Sequence, residues 1–186
     1  MPPARIEPLA GPYEPAVAEA FLRIMPPGME PLKLFRTQAR NTRVFLRMLA
    51  GNLLDKGTIT LRERELIILR TCARCDSEYE WGVHVALFAE KAALSKAAIS
   101  ATLKDSAHVD GLTASERALF EAVDSLHEHS TISDPLWEKL ANHYRTDQIM
   151  EILALCGFYH TISFITNATQ VELEAFAPRF ESYATR

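Results

Sequence analysis

Apolar residues recur at intervals of three and four along most of the chain, which is the period of a helix with one buried face. Two capping boxes, Thr60–Glu63 and Thr113–Glu116, mark helix starts, because in each the threonine hydroxyl and the glutamate carboxylate satisfy free backbone N–H groups. Strand-like alternation flanking a turn is absent from the sequence, so no sheet is predicted. The pattern predicts an all-α fold of about eight helices, over roughly residues 14–24, 36–50, 61–74, 77–93, 95–103, 114–127, 134–144 and 146–168.

The N-terminal segment differs from the rest in its proline content, since eight of the ten prolines lie within the first 31 residues. We therefore predict a proline-rich arm with a short helix over residues 1–30, packed on the body or on a neighbouring subunit. Residues 31–186 are predicted to form one helical domain, because 186 residues suffice for a single core and are few for two. A polar stretch, 104–111, separates the two halves of that domain.

Composition excludes some classes of partner and compartment. The net charge of -4 provides no basic surface for phosphate groups, so no nucleic-acid partner is expected. The first residues lack the basic and apolar regions of a secretory signal, and three cysteines are too few for a disulfide scaffold. A cytoplasmic location is the expectation. The late apolar stretch 149–165 is interrupted by polar residues and falls short of a membrane span, so we expect a buried helix and no membrane partner.

A histidine with two carboxylates is the clearest candidate for chemistry. Glu80 and His84 are four residues apart on one predicted helix and therefore adjacent on its surface, and Glu65 lies on the helix before it. A histidine between two carboxylates can be held in one tautomer and kept basic, as a general acid or base requires. An ordinary surface pair with a solvated Glu65 is the alternative from the residues alone.

A Cys-x-x-Cys pair, Cys72 and Cys75, stands at the predicted closing turn of a helix. Helix carbonyl ends disfavour a thiolate there, so buried structural thiols, a redox pair and metal ligation all stay open. Two thiols without a well-placed histidine make a weak zinc site, and no metal is expected. Cys156 lies on the apolar late helix and is predicted to be core.

The run Glu-Tyr-Glu-Trp-x-x-His at residues 78–84, preceded by Arg-Glu-Arg-Glu-Leu at 62–66, resembles the signature of the carboxymuconolactone decarboxylase / AhpD-like superfamily. A looser resemblance extends over residues 30–175, including Gly157-Phe158-Tyr159 and Asn167. This resemblance implies an AhpD-like single-domain helical bundle. It also implies a homo-oligomer, a trimer or a hexamer built from trimers.

Within that superfamily, the redox branch has a glutamate, then a Cys-x-x-Cys, then a histidine four residues after the second cysteine. Anchored on His84, the resemblance places the glutamate at Glu65 but places the two cysteines at Ser77 and Glu80. The chain therefore resembles a branch that lacks the redox pair in its usual position.

The leading hypothesis is a carboxymuconolactone decarboxylase-like enzyme that acts without a cofactor on a small, anionic organic molecule. His84 would be its acid/base, Glu65 and Glu80 would orient that histidine, and Arg70 or Arg74 would bind a substrate carboxylate. The residues expected to complete the pocket are Ser77, Tyr79, Trp81, Arg70, Tyr159, His160 and Asn167.

Two other hypotheses remain. The superfamily's redox branch implies an alkylhydroperoxidase or peroxiredoxin-type thiol enzyme, which would have to use Cys72 and Cys75 although the pair is displaced. The last hypothesis is a non-catalytic helical oligomer that binds a small ligand.

Overall fold

A computed structural model describes residues 3–104 and 112–184, and over these residues it contains nine α-helices and no strand. The all-α prediction is therefore confirmed, while the polar connection predicted at 104–111 lies outside the described residues except for Lys104. One 3-10 turn, Phe180–Ser182, follows the last helix. The helices are α1 Pro15–Ile24, α2 Lys33–Gln38, α3 Thr42–Ala50, α4 Leu61–Arg74, α5 Glu78–Phe88, α6 Lys96–Ala101, α7 Ala114–His129, α8 Asp134–Ala141 and α9 Thr146–Thr169.

The single helix predicted over 36–50 is two helices, α2 and α3. Asn41 separates them because its extended backbone interrupts the helix and its side chain accepts the Val44 N–H at 3.1 Å, which caps α3. Helix α8 begins at residue 134 as predicted, with Ser133 as its N-cap, but it ends at Ala141 rather than at about 144. Both predicted capping boxes are present, at Thr60 and at Thr113.

Helix α4 is the centre of the domain and packs against α5, α7 and α9. Four consecutive residues, Leu66, Ile67, Ile68 and Leu69, are fully buried, so this helix is surrounded on all sides. A helix in that position can carry charged residues only where each has a partner. Its buried Glu65 and Arg70 meet this condition, as described below.

The N-terminal arm lies on its own body. The backbone N–H of Arg5 donates to the carbonyl of Thr169 at 2.8 Å, and that of Leu9 donates to the carbonyl of Arg36 at 3.1 Å. On α1, the ring of Phe21 packs against Phe45 of α3 with a centroid separation of 5.1 Å. The end of α1 and the turn after it are thereby held close to α2 and α3.

Helix α9 is the long apolar helix that the sequence indicated. Within the described part of the chain it is the one helix whose length and hydropathy would also suit a membrane span. Ile152, Leu155 and Tyr159 on this helix are almost wholly buried against α4 and α5. The core helix of a folded domain meets the same test of length and composition.

Candidate active site

A cavity of about 400 Å³ lies between the end of α1 and helices α2, α3, α5 and α9. Most of its wall is apolar, and its polar lining consists of a few side chains. The apolar lining includes Met25, Met29, Leu34, Phe35, Met48, Leu87, Phe88, Phe158 and Ile162. The polar lining consists of Gln38, Asn52, Asp55, Glu80, His84 and Tyr159.

His84 is anchored through its Nδ1 atom. That nitrogen lies 2.7 Å from Oε2 of Glu65, which α4 carries against α5, and both side chains are almost completely buried. The other oxygen of Glu65 accepts from the guanidinium of Arg64 at 3.0 Å. The carboxylate therefore has a charged partner on each side, and the imidazole ring is fixed in orientation.

The second ring nitrogen of His84 points to the cavity side of the cluster. Its Nε2 atom lies 3.1 Å from the hydroxyl oxygen of Tyr159 and 3.4 Å from Oε1 of Glu80. The remaining oxygen of Glu80, Oε2, is buried and has no hydrogen-bond partner among the residues that the structure describes. A buried carboxylate oxygen without a partner is costly in a purely structural role, and at functional sites it is a common arrangement.

Electrostatics determine the protonation of this cluster. Burial lowers the pKa of His84, but the carboxylates of Glu65 and Glu80 outweigh burial and raise that pKa to about 9. The histidine is therefore an imidazolium at neutral pH, with both ring N–H groups available as donors. Burial raises the pKa of Tyr159 well above its ordinary value, so its phenol stays neutral.

The arrangement can supply and accept protons at one place. His84 Nε2–H is placed to donate a proton while Glu65 holds the opposite nitrogen, and the free oxygen of Glu80 is placed beside it to accept one. The burial of His84 and Glu80 beside a mainly apolar wall lowers the local polarity, which strengthens the interaction between them.

Three of the predicted pocket residues on and before α5 are buried elsewhere. Ser77 Oγ pairs with Thr166 Oγ1 at 2.8 Å, and the Tyr79 hydroxyl donates to Glu174 at 2.7 Å. The indole N–H of Trp81 donates to Thr102 Oγ1 at 2.9 Å. None of the three lines the cavity, because each faces the C-terminal segment or a neighbouring helix.

The predicted arginine clamp also lies away from the cavity. Arg70 binds both carboxylate oxygens of Asp124, at 2.7 and 2.6 Å, and donates to the backbone carbonyl of Thr102. Arg74 contacts Asp124 and Glu128. Both guanidinium groups thus bind carboxylates of α7 and stabilise the contact between α4 and α7.

The last three predicted pocket residues lie on α9, and one of them lines the cavity while the other two do not. Tyr159 lines the cavity and contacts His84, whereas Asn167 donates from Nδ2 to the carbonyl of Cys75 at 2.7 Å. His160 faces the opposite side of the helix and meets His127. Tyr159 is thus the one member of the predicted pocket list found in the cavity wall, alongside Glu80 and His84.

The cysteines are free thiols with different surroundings. Cys72 is fully buried and Cys75 is partly buried, and burial raises the pKa of both thiols. Burial likewise raises the pKa of Cys156 to about 12. None of these side chains lines the cavity that contains His84.

Some lining residues have no sequence signal that links them to His84. Met25, Met29, Gln38 and Asn52 reach the cavity from the arm, α2 and the turn after α3. Phe88 is different, because it lies four residues after His84 and stacks on the imidazole with a centroid separation of 5.1 Å. The spacing rule that paired Glu80 with His84 applies equally to this ring.

Comparisons with known proteins agree with the helical fold. Residues 40–125 match the profile of the "Carboxymuconolactone decarboxylase family". An uncharacterized peroxidase-related protein from Silicibacter sp. TM1040 has a TM-score of 0.77 at 18% identity, with 93% of each chain covered. A second, described as an alkylhydroperoxidase AhpD core from Ralstonia eutropha JMP134, has a TM-score of 0.76 at 18% identity, covering 94% of this chain and 95% of that one.

A structure of the debrominase Bmp8 in complex with 2,3,4-tribromopyrrole is also similar, with a TM-score of 0.71 at 15% identity. The match covers 96% of this chain and 94% of the debrominase. No curated protein matches the chain. Similarity at these sequence identities establishes a shared helical fold. It does not assign the activities of these proteins to this chain.

Proposed function

The chain belongs to the carboxymuconolactone decarboxylase / AhpD-like superfamily, and from this membership we propose that it is a proton-transferring enzyme of the decarboxylase type. The observation that carries the proposal is the buried Glu65–His84–Glu80 cluster at the end of an apolar cavity. His84 donates from Nε2, Glu65 holds Nδ1, and Glu80 accepts a proton or returns one to the imidazole.

For a lactone that carries a carboxylate, the reaction balances without an oxidant or a reductant. The bond between carbon and carboxylate breaks, carbon dioxide leaves, and the electron pair remains on the conjugated lactone. His84 Nε2–H then protonates that carbon, and the neutral imidazole regains its proton from water. The imidazolium form required for the donation is the form that Glu65 and Glu80 stabilise.

The cavity also limits the substrate. Among the described lining residues, His84 is the one side chain that can carry a positive charge, so a substrate anion would bind at its Nε2–H. The rest of the molecule would contact methionine, leucine and phenylalanine side chains. A small, compact ring whose departing carboxylate reaches that N–H fits this description, and the debrominase that binds a brominated pyrrole is a structural precedent for a small ring in this fold.

The thiol-peroxidase alternative has less support from the geometry. Cys72 and Cys75 lie outside the cavity, and burial disfavours the thiolate form that attacks a peroxide. Ser77 and Glu80 occupy the positions at which the resemblance to the redox branch would place cysteines.

The test is turnover of carboxylated unsaturated lactones, beginning with carboxymuconolactone, in D₂O. We expect release of carbon dioxide and one solvent deuterium on the product carbon, both measured by mass spectrometry. His84→Gln should lower the rate by at least about 100-fold, since a positioned general acid contributes about 10²–10⁴. The matched control is His129→Gln, because that histidine is exposed and lies far along the chain from the cluster.

Two outcomes would contradict the proposal. One is a His84→Gln rate equal to that of the wild type. The other is no turnover of any lactone by a folded protein that consumes hydroperoxides, with that consumption abolished by iodoacetamide. The second result would indicate a thiol peroxidase that uses its cysteines.

A further inference from the structure

A second cluster of chemically active side chains lies outside the cavity. Cys75 caps the end of α4, His127 is in the last turn of α7, and His160 is in the middle of α9. Their potential ligand atoms all lie within 4.8 Å of one another, and each side chain is partly exposed. Three separate helices therefore bring one thiol and two imidazoles to a point that solvent can reach.

The distances within the cluster resemble those around a tetrahedral metal ion. Cys75 Sγ lies 3.7 Å from His127 Nδ1, and His127 Nδ1 lies 3.1 Å from His160 Nε2. Zinc bonds of about 2.3 Å to sulfur and about 2.0–2.1 Å to nitrogen, at tetrahedral angles, separate neighbouring ligand atoms by roughly 3.3–3.6 Å. Shifts of a few tenths of an ångström would bring these two pairs to those separations, and the third pair, Cys75 Sγ and His160 Nε2, lies within 4.8 Å.

The tautomer of His160 suits a metal ligand. Its Nδ1 lies 2.7 Å from the backbone carbonyl of Cys156, and a carbonyl can only accept, so Nδ1 carries the proton. The lone pair of the neutral ring is therefore on Nε2, which points to His127 and Cys75. Ligating histidines commonly donate their other N–H to a carbonyl in this way, which fixes the ring.

The backbone and charges around the cluster are also organised. Asn167 donates to the carbonyl of Cys75 at 2.7 Å and so holds the turn that carries the thiol. Asp124 and Glu128 are bound to Arg74 beside His127, which leaves the neighbourhood close to neutral. A cation that binds one thiolate would not meet a large excess of positive charge there.

We propose that Cys75, His127 and His160 bind one zinc ion, with the fourth coordination position open to water or to an incoming ligand. The pairing of one thiolate with two imidazoles favours zinc-like transition metals over Mg²⁺ or Ca²⁺, which take oxygen ligands. Binding replaces the thiol proton of Cys75 by the metal and releases that proton to solvent. The site is on the other side of α9 from the cavity and is independent of the proposed decarboxylation.

The experiment uses the full chain, stripped of metal and kept reduced. Co²⁺ serves as a spectroscopic probe, and Zn²⁺ affinity is measured by competition with a coloured chelator. We expect one equivalent of metal, a thiolate-to-cobalt charge-transfer band, and the intense visible bands of a four-coordinate ion. Zn²⁺ should displace Co²⁺ with loss of the colour.

Variants separate this site from adventitious surface binding. His127→Gln, His160→Gln and Cys75→Ser should each weaken Zn²⁺ binding by at least about 100-fold, since loss of partners outside the ligand set alone typically costs about 10–100-fold. Cys75→Ser should also abolish the charge-transfer band. His129→Gln, two residues from His127 and exposed, should change nothing.

The proposal is overturned if bound Co²⁺ shows no thiolate band. It is also overturned if folded His127→Gln and His160→Gln proteins bind Zn²⁺ as the wild type does. Either result would mean that His127 and His160 only form a hydrogen bond with each other and do not bind a metal ion. Because no step of this test measures turnover, its failure would leave the decarboxylase proposal unaffected.

Discussion

His84 is a buried cation whose charge is maintained by its neighbours. Removing a histidine from water favours the neutral ring, and the pKa rises to about 9 only because Glu65 and Glu80 lie on its two nitrogens. Arg64 in turn balances Glu65. Taking these charged groups out of water offsets much of the energy of their pairing, so the stabilisation that they contribute depends on all of them keeping their charges.

The pH dependence of turnover follows from that pKa. His84 must be protonated to act as the acid, so we predict that kcat/KM for the lactone substrate falls as pH rises through about 9. Glu80→Gln removes one of the two carboxylates that raise the pKa, and it should move this alkaline limb to lower pH. Initial rates across the alkaline range for both proteins provide the measurement. An identical limb in the two proteins would contradict the assignment to His84.

The free energy of unfolding should depend on pH for the same reason. The pKa of His84 is raised in the folded state from 6.5 to about 9, so its stabilising contribution is complete below 6.5 and is lost as pH rises through about 9. At about 1.4 kcal/mol per pKa unit, this contribution is on the order of 3 kcal/mol. Urea unfolding of the wild type and of His84→Gln across this window should show the difference between the two proteins shrinking as pH rises. A constant difference would show that His84 is not charged in the folded protein.

At the scale of the helix, the sequence predicts what local contacts determine. The capping boxes at Thr60 and Thr113 are formed because each uses residues three apart in one turn. The break at Asn41 is also determined by local contacts. It was not predicted, because the helical spacing of apolar residues continues through it. The cavity wall depends on Met25 and Met29, which no periodicity relates to α5, since only the packing of the arm brings them there.

Gly82 on α5 tests the packing of the C-terminal segment. A Cβ at this position would lie 2.5 Å from the carbonyl oxygen of Pro178 and 3.3 Å from the Cβ of Ala177. Because a backbone atom cannot move aside cheaply, we predict that Gly82→Ala destabilises the fold by roughly 1–3 kcal/mol, in spite of the better helix propensity of alanine. Thermal and urea unfolding provide the measurement.

The matched control is Gly157→Ala in α9. Within the single chain a Cβ there meets nothing within 4 Å, so in a background that keeps the chain monomeric, helix propensity alone should act and stabilise by about 0.5–1 kcal/mol. Equal and favourable effects at the two positions would mean that residues 177–178 do not pack on α5 as described.

For the whole molecule, the helical fold and the proximity of Glu65, Glu80 and His84 could be predicted because the relevant residues stand close together in the sequence. Glu80 and His84 share a helix face, and Glu65 is only 19 residues from His84. The thiol–imidazole cluster could not be predicted in this way. Its members are separated by 52 residues from Cys75 to His127 and by 33 from His127 to His160, and only the packing of α4, α7 and α9 unites them.

The surface of α9 suggests how copies of the chain assemble. Exposed residues with mainly apolar or small side chains follow one another at spacings of four and three along this helix, which places them on one face. Such a face suits close contact with a helix of a second copy, because small residues allow the backbones to approach and the large ones fill the gaps. We define it as the α9 stripe, consisting of Met150, Ala154, Gly157, Thr161, Phe164 and Ala168.

We therefore predict that the protein is a homo-oligomer, a trimer or a hexamer, and that the α9 stripe is part of its interface. The large apolar side chains on the stripe, Met150 and Phe164, are 62% and 66% exposed in the single chain, and burying them on association would be favourable. The double variant Met150→Glu/Phe164→Glu should dissociate the assembly toward a 20.9 kDa monomer, as measured by sedimentation velocity. Leu22→Glu on α1, which changes an even more exposed apolar residue away from the stripe, is the control and should leave the assembly intact. A monomeric wild type would contradict the predicted assembly, and dissociation by Leu22→Glu alone would assign the contact between copies to another surface.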